Sequence, residues 1–201
     1  SQLDIEISIK TRIGKEKEEE FEKLLLIYNQ YPLKELIIHP RIQKDFYKNS
    51  PRMKCFREGF LHSHAAVCYN GDIFTLADYE KLTKEYPALE RVMLGRGLVA
   101  NPGLGAQIQT GCPGTKENIR NFHNHLYQAY QELLLSASGE RVVLFKMKEI
   151  WCYMIFMFSD SKKWEKKIKK AQSLKDYEAA VSSLFRECEF CPASGYGAKG
   201  E

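Results

Sequence analysis

AAVCYNGDIFTLADYEKLTKEYPALERVMLGRG, residues Ala65–Gly97, contains a short apolar run, a helix and a second short apolar run. The first run, Ala65–Tyr69, ends at Asn70-Gly71-Asp72. Leu76–Glu85 has helical spacing. The second run, Leu89–Leu94, ends at Gly95-Arg96-Gly97. Apolar runs of strand length, bounded by turn residues and separated by a helix, predict a βαβ unit.

The same grammar extends toward the N-terminus. Leu33–His39 (LKELIIH) is an apolar run stopped by Pro40, and Pro51–Leu61 reads as a short helix. Asp4–Arg12 (DIEISIKTR) alternates, with Ile5, Ile7 and Ile9 on one face, which predicts a strand. Lys15–Tyr31 reads as an amphipathic helix, with Phe21, Leu24, Leu25 and Tyr28 at helical spacing. Four strands alternating with helices predict a parallel sheet with right-handed crossovers.

The pattern changes after Pro102. Glu117–Leu135, Val142–Phe158, Ser161–Ala171 and Leu174–Cys188 read as helices with no strand between them. The fold class is therefore α/β plus all-α. Residues 1–112 form the α/β part, 113–191 a helical bundle, and 192–201 a Gly-rich tail expected to be disordered.

At 201 residues and 44% hydrophobic content, the chain can build one good core or two small ones. It is short for a complete (β/α)₈ barrel, which takes roughly 250 residues. The net charge of +4 permits a polyanionic partner without demanding one. Its distribution is more informative: Arg141–Lys170 holds nine Lys or Arg residues against Glu149, Asp160 and Glu165. The six scattered cysteines and the lack of a signal peptide point to a reduced, cytoplasmic, soluble protein. The longest apolar stretch, near Trp151–Phe158, is too short to span a bilayer.

In parallel α/β sheets, functional groups gather at the carboxyl ends of the strands. Here those ends carry Lys10 and Arg12; His39 and Arg41; Asn70, Gly71 and Asp72; and Gly95, Arg96 and Gly97. Glycines let backbone N–H groups approach phosphate oxygens, and an arginine adds a charge-assisted contact. Asn-Gly-Asp alone reads as a turn. Paired with Gly-Arg-Gly after the next strand, it fits the phosphate site that barrels build after strands 7 and 8.

SIKTRIG (Ser8–Gly14), IIHPR (Ile37–Arg41), YNGDI (Tyr69–Ile73) and MLGRG (Met93–Gly97) resemble, in order and spacing, the last four strand ends of tRNA-dihydrouridine synthases. NFHNHLYQAY (Asn121–Tyr130) and FKMKEIWCY (Phe145–Tyr153) are similar to that family's C-terminal helical domain. The resemblance implies the second half of a TIM (β/α)₈ barrel followed by a tRNA-binding domain. It also implies FMN as cofactor, NADPH as reductant and a tRNA uridine as substrate. Lys10 and His39 are then expected to contact the flavin. Asn70, Gly71, Asp72, Gly95 and Arg96 are expected to hold its phosphate. Arg12 and Arg41, with Lys146 and Lys148 of the helical part, are expected to face RNA. The family's H-G-R is His39-Pro40-Arg41 here, and the proline removes an N–H and fixes φ. The proton-donating cysteine of the family lies in an N-x-G-C-P motif of the barrel's first half, so no catalytic residue is expected in these residues. Gly111-Cys112-Pro113 imitates that motif after the last strand and is not taken for it.

Three further signals are weaker. Gly95–Ala100 fits G-x-G-x-x-A, but Asn101-Pro102-Gly103 stops the long helix a dinucleotide site needs. Cys188-Glu189-Phe190-Cys191 lacks a second ligand pair, so no metal is expected. Lys162–Lys170 (KKWEKKIKK) reads either as a solvated helix face or as a phosphate-contacting one. Trp151 and Tyr153 could stack on bases, though at helical spacing they read as core.

A chain of this kind is expected to be an inactive portion of the enzyme. The alternatives are a non-enzymatic RNA-binding module and another phosphate-binding barrel enzyme. A half-barrel would leave strand edges open, so self-association or heavy cover of the inner face is expected.

Overall fold

The four apolar runs pair as one parallel sheet in the computed structural model, which describes residues 5–192. The strands are β1 (Ser8–Gly14), β2 (Glu35–Ile42), β3 (Ala66–Tyr69) and β4 (Arg91–Val92), in spatial order β1-β2-β3-β4. Helices α1 (Glu20–Tyr28), α2 (Met53–His62) and α3 (Leu76–Glu85) follow the first three strands. Sequential parallel strands with intervening helices are the arrangement of part of a (β/α)₈ barrel.

β2 is buried along most of its length, Leu36 to Arg41, because it lies between β1 and β3. A strand covered on both faces reads as a continuous apolar run rather than an alternating one. β1 differs from the sequence expectation. Pairing starts at Ser8↔Glu35, and Ile5 and Ile7 are 67% and 41% exposed. The buried end is Ile13-Gly14. Alternation alone placed the strand too early, because only pairing with β2 selects which residues are covered. Asp4 lies outside the described residues.

The helix expected from Lys15 starts at Glu20 instead. The Glu20 carboxylate accepts the backbone N–H groups of Lys15, Glu16 and Lys17 at 2.8–2.9 Å, folding them into a turn. Gly14 is required by that turn, since a Cβ there would sit 2.2 Å from the Lys17 carbonyl oxygen.

The chain forms two compact units. The first comprises Ser1–Asp72 and Glu80–Gly95, and the second Ile73–Tyr79 and Arg96–Glu201. The second unit contains α4 (Arg96–Ala100), α5 (Leu104–Thr110), α6 (Lys116–Ser138), α7 (Glu140–Met154), α8 (Lys162–Lys170) and α9 (Leu174–Glu187). Its core joins Ile119, Met147, Trp151, Met154, Trp164, Ile168, Tyr177 and Leu184. Thr115 caps α6 and Ser173 caps α9, each side-chain oxygen accepting the N–H three residues on. Residue 112 lies within this second unit, so the compact boundary precedes the composition change. The tail beyond residue 192 lies outside the described residues.

The first unit's core is filled where α2 crosses the sheet. A Cβ on Gly59 would lie 2.5 Å from Ile38 Cδ1 and 2.9 Å from Phe21 Cζ. Alanine at a helix interior gains about 1 kcal/mol in propensity over glycine. Overpacking a filled core costs about 1–3 kcal/mol. Gly59→Ala is therefore expected to be net destabilising, by about 1 kcal/mol in urea unfolding. A rise in stability would mean that α2 is not seated against Ile38.

Candidate functional site

Arg12 and His39 are direct neighbours across the β1–β2 ladder, and Lys10 lies two residues before Arg12 on β1. The register then slips from Arg12↔His39 to Gly14↔Ile42, so β2 carries one extra residue there. That bulge holds Pro40. Proline needs no ladder partner at a bulge, and β3 has already ended opposite Ile38. The expected disturbance at Pro40 is thus absorbed by the sheet, and the extra residue lies immediately before Arg41.

Arg41 is only 2% exposed. Its guanidinium forms a two-pronged ion pair with Asp72, 3.2 Å from Nη1 to Oδ1, and Nε donates to the Asn49 carbonyl. Arg41 was expected to face RNA. It is an internal latch instead, because the bulge directs it under the end of β3. Asp72, expected at a phosphate, is the carboxylate that neutralises it. Asn70 is also engaged, donating from Nδ2 to the Met93 carbonyl at 2.8 Å. Gly71 is required by its neighbour, since a Cβ would lie 2.0 Å from the Tyr69 hydroxyl. Around Gly95 the space is open for 4 Å.

Arg41 Nη1 lies 3.2 Å from His39 Nε2. Arginine only donates, so Nε2 accepts and the imidazole proton sits on Nδ1. His39 is buried, and its pKa falls to about 4 through burial first, then the charges of Arg12, Arg41 and Lys10, against which Asp72 acts weakly. It is a neutral imidazole with a fixed tautomer. Lys10 makes no hydrogen bond or ion pair among the described residues, and burial and Arg12 lower its pKa. Arg12 donates to the Ile42 carbonyl at 2.8 Å. This end of β1 and β2 therefore offers donors and positive charge, which suits an electron-rich, anionic ligand.

The loop after β2 holds groups that sequence reasoning missed. Asp45, 3% exposed, accepts from the Ile42 N–H, from Asn49 and from both Arg52 nitrogens. Those bonds, the Arg52 pair foremost, hold its pKa near 2. Phe46 and Tyr47 have φ of 47° and 81°, a left-handed conformation that costs about 1–3 kcal/mol per non-glycine residue. The turn brings the Tyr47 ring to 5.8 Å from the His39 ring and 5.5 Å from the Arg12 guanidinium. No spacing in the sequence announces this, because it depends on a buried carboxylate folding the loop back.

In the second unit, Arg96 lies over the Phe74 ring at 5.5 Å. The buried Asn101 side chain has an amide nitrogen without a hydrogen-bond partner among the described residues. Cys112 is exposed just after α5. Lys146 is exposed and pairs with Glu149 at 3.7 Å. Lys148 is half-buried and donates to the Ala171 carbonyl, closing the end of α8, so it is not the free cation expected for RNA. On α8, Lys162, Lys166 and Lys170 have no ion pair among the described residues, and Lys167 lies over the Trp164 ring at 4.4 Å. Trp151 is core. Among the described residues no cluster of three or more His, Cys, Asp or Glu could hold a metal ion, and no helix is long and apolar enough to cross a membrane.

The state of His39 is measurable. Its unfolded pKa is near 6.5 and its folded value near 4, so the unfolded chain binds the extra proton between them. Stability from this residue is full above pH 6.5 and is lost as the pH falls toward 4. NMR titration is expected to find the His39 ring neutral at pH 5.5. A midpoint at or above 6 would contradict the buried, arginine-flanked site.

A family model described as dihydrouridine synthase (Dus) matches residues 1–189. The chain is also similar to three tRNA-dihydrouridine(16) synthases. It is 31% identical to that of Pseudomonas putida over 91 residues, 45% of this chain and 28% of the relative. It is 28% identical to that of Aquipseudomonas alcaligenes over 105 residues, 52% and 33% of the two chains. It is 27% identical to that of Neisseria meningitidis serogroup B over 123 residues, 60% and 36% of the two chains. The chain thus spans about a third of the length of the curated relatives it matches. With the family model covering nearly all of the described residues, this chain belongs to the dihydrouridine synthase family.

Proposed function

We propose that this chain is the C-terminal portion of a flavin-dependent tRNA-dihydrouridine synthase, carrying half of the barrel site and a tRNA-contacting helical unit, and inactive alone. The observation that carries the reading is the donor-only cluster of Lys10, Arg12 and neutral His39 at the carboxyl end of β1 and β2, in a member of this family. FMN, when bound and reduced by NADPH, would supply the hydride that saturates the 5,6 double bond of a uridine. Lys10 would put positive charge against the reduced ring, which favours its anionic form. His39 would donate through Nδ1–H to an acceptor on the cofactor. Neutrality suits that role, since the proton is held at neutral pH and not released. The backbone at Gly71 and Gly95 would receive the phosphate. Asp72 would not repel it, because Arg41 neutralises its carboxylate.

Besides the hydride, the reduction needs one proton at the other carbon of the double bond, and none of these residues is the acid that gives it. Lys10 is a cation set against the ring and His39 is a poor acid at a pKa near 4, being already deprotonated at neutral pH. The reading therefore requires a preceding barrel half that contributes the proton-donating cysteine. That half would also pair with the exposed edges of the sheet.

On tRNA, the α8 lysines take the role first expected of Lys148. Each phosphate contact contributes roughly 0.7–0.9 to the slope of log affinity against log salt.

Two measurements test this reading. A protein joining this chain to a barrel half with the cysteine should form dihydrouridine in unmodified tRNA with FMN and NADPH, and Lys10→Met should lower kcat/KM at least tenfold. Turnover by the present chain alone would overturn its assignment as an inactive portion. Replacing Lys162, Lys166, Lys167 and Lys170 with Gln should reduce the salt slope of tRNA binding by about 3. An unchanged slope would move the RNA surface away from α8.

A further inference from the structure

The second unit contains a polar chain that the reaction does not use. Trp151 Nε1–H donates to the Tyr177 hydroxyl at 2.8 Å, and that hydroxyl lies 2.6 Å from His123 Nε2. Tyr177 is fully buried, and an unmet O–H there would be costly, so it donates to His123. His123 Nδ1 then carries the ring proton and donates to Asn124 Oδ1 at 3.0 Å. The direction of every bond is fixed, starting from an indole that can only donate. With its oxygen held by the histidine, Asn124 presents its amide N–H groups at the exposed end of the chain.

That end opens into a groove of about 550 Å³ between α6 and α9. Small-ligand sites span roughly 300–1,000 Å³. One wall is the His123–Tyr127 stack, with centroids 6.1 Å apart and planes at 22°. Arg120 lies over the Phe185 ring at 5.2 Å, so a flat cation stands beside an aromatic face. The groove is a poor phosphate site. Arg186 is paired with Glu187 at 3.0 Å, and Glu178, which accepts the Tyr127 hydroxyl at 2.8 Å, adds a negative charge. Aromatic walls, a near-neutral charge and one oriented amide suit a neutral planar ring with carbonyl groups on its edge. The phosphate-binding chemistry lies on the other side of α9, where Lys166, Lys167 and Lys170 line a separate groove with Ala179 and Ala180. The two grooves are about one helix width apart, roughly 10–12 Å.

We propose that the α6–α9 groove is a binding site for an unpaired nucleobase of an RNA strand, held by its carbonyl edge on the Asn124 amide and stacked beside Tyr127. The proposal rests on the RNA reading above, and places the base on one side of α9 and the backbone phosphates on the other. Asn124 is a positioning residue whose amide is oriented by the Trp151–Tyr177–His123 chain.

The test uses the full chain labelled with ¹⁵N, and uridine monophosphate as the probe. Binding should shift the His123 ring and Trp151 indole signals. Asn124→Asp keeps an oxygen for His123 but removes the amide donors. It should fold with an unchanged Trp151 indole signal and bind the probe at least tenfold more weakly. Tyr127→Ala, which removes the stacking ring, should also bind the probe at least tenfold more weakly. Equal binding by Asn124→Asp and the parent would overturn the proposal. So would tRNA binding that leaves both signals unmoved, although the RNA reading would then survive. Shifts with the nucleotide but no affinity for tRNA would keep the base site and remove the RNA reading.

Discussion

The buried ion pair between Arg41 and Asp72 is the constraint on which the carboxyl end of the sheet depends. Taking a guanidinium out of water costs several kcal/mol unless it is paired and hydrogen-bonded. Here Asp72, the Asn49 carbonyl and His39 Nε2 together engage its nitrogens. The consequences spread outward. β3 is tied to β2 beyond the last ladder bond, the loop after β2 is drawn in through Asn49, and His39 is held in one tautomer with its N–H facing away from the arginine. The bulge at Pro40 makes this possible, because the extra residue lets Arg41 leave the alternation of β2 and turn inward.

The loop after β2 follows the same logic. Asp45 is a buried carboxylate satisfied by three partners, which favour its charge and hold its pKa down near 2. That anchoring offsets the cost of two left-handed residues and sets the Tyr47 ring beside His39 and Arg12. Local strain of this sort persists where the surroundings over-determine the backbone. The helical unit also orients a surface group from its interior, by hydrogen bonds rather than charge: three buried aromatic side chains fix one exposed amide.

Much of the architecture was legible in the sequence. Short apolar runs ended by polar or glycine-rich turns gave the four strands, and helical spacing located α6 to α9 within a few residues. The misses have physical causes. β1 was placed four residues early because Ile5, Ile7 and Ile9 alternate whether or not a partner strand covers them. The Lys15–Glu19 run looks helical in composition, yet the N–H groups of Lys15, Glu16 and Lys17 are taken by Glu20 and form a turn. Lys148 looked like a free cation, but it closes the end of α8.

The sequence by itself determined the alternation of strands and helices, the change to an all-helical second part, and the residue types at each strand end. These follow from periodicity and turn chemistry, which act over a few residues. Only the tertiary structure decided which of those polar groups remain available. Arg41, Asp72 and Asn70 are joined to partners 23 to 31 residues away, whereas Lys10 has none among the described residues. A charged side chain reads the same in sequence whether it meets solvent, a ligand or a buried counter-charge, and the choice is made by desolvation and pairing between distant segments.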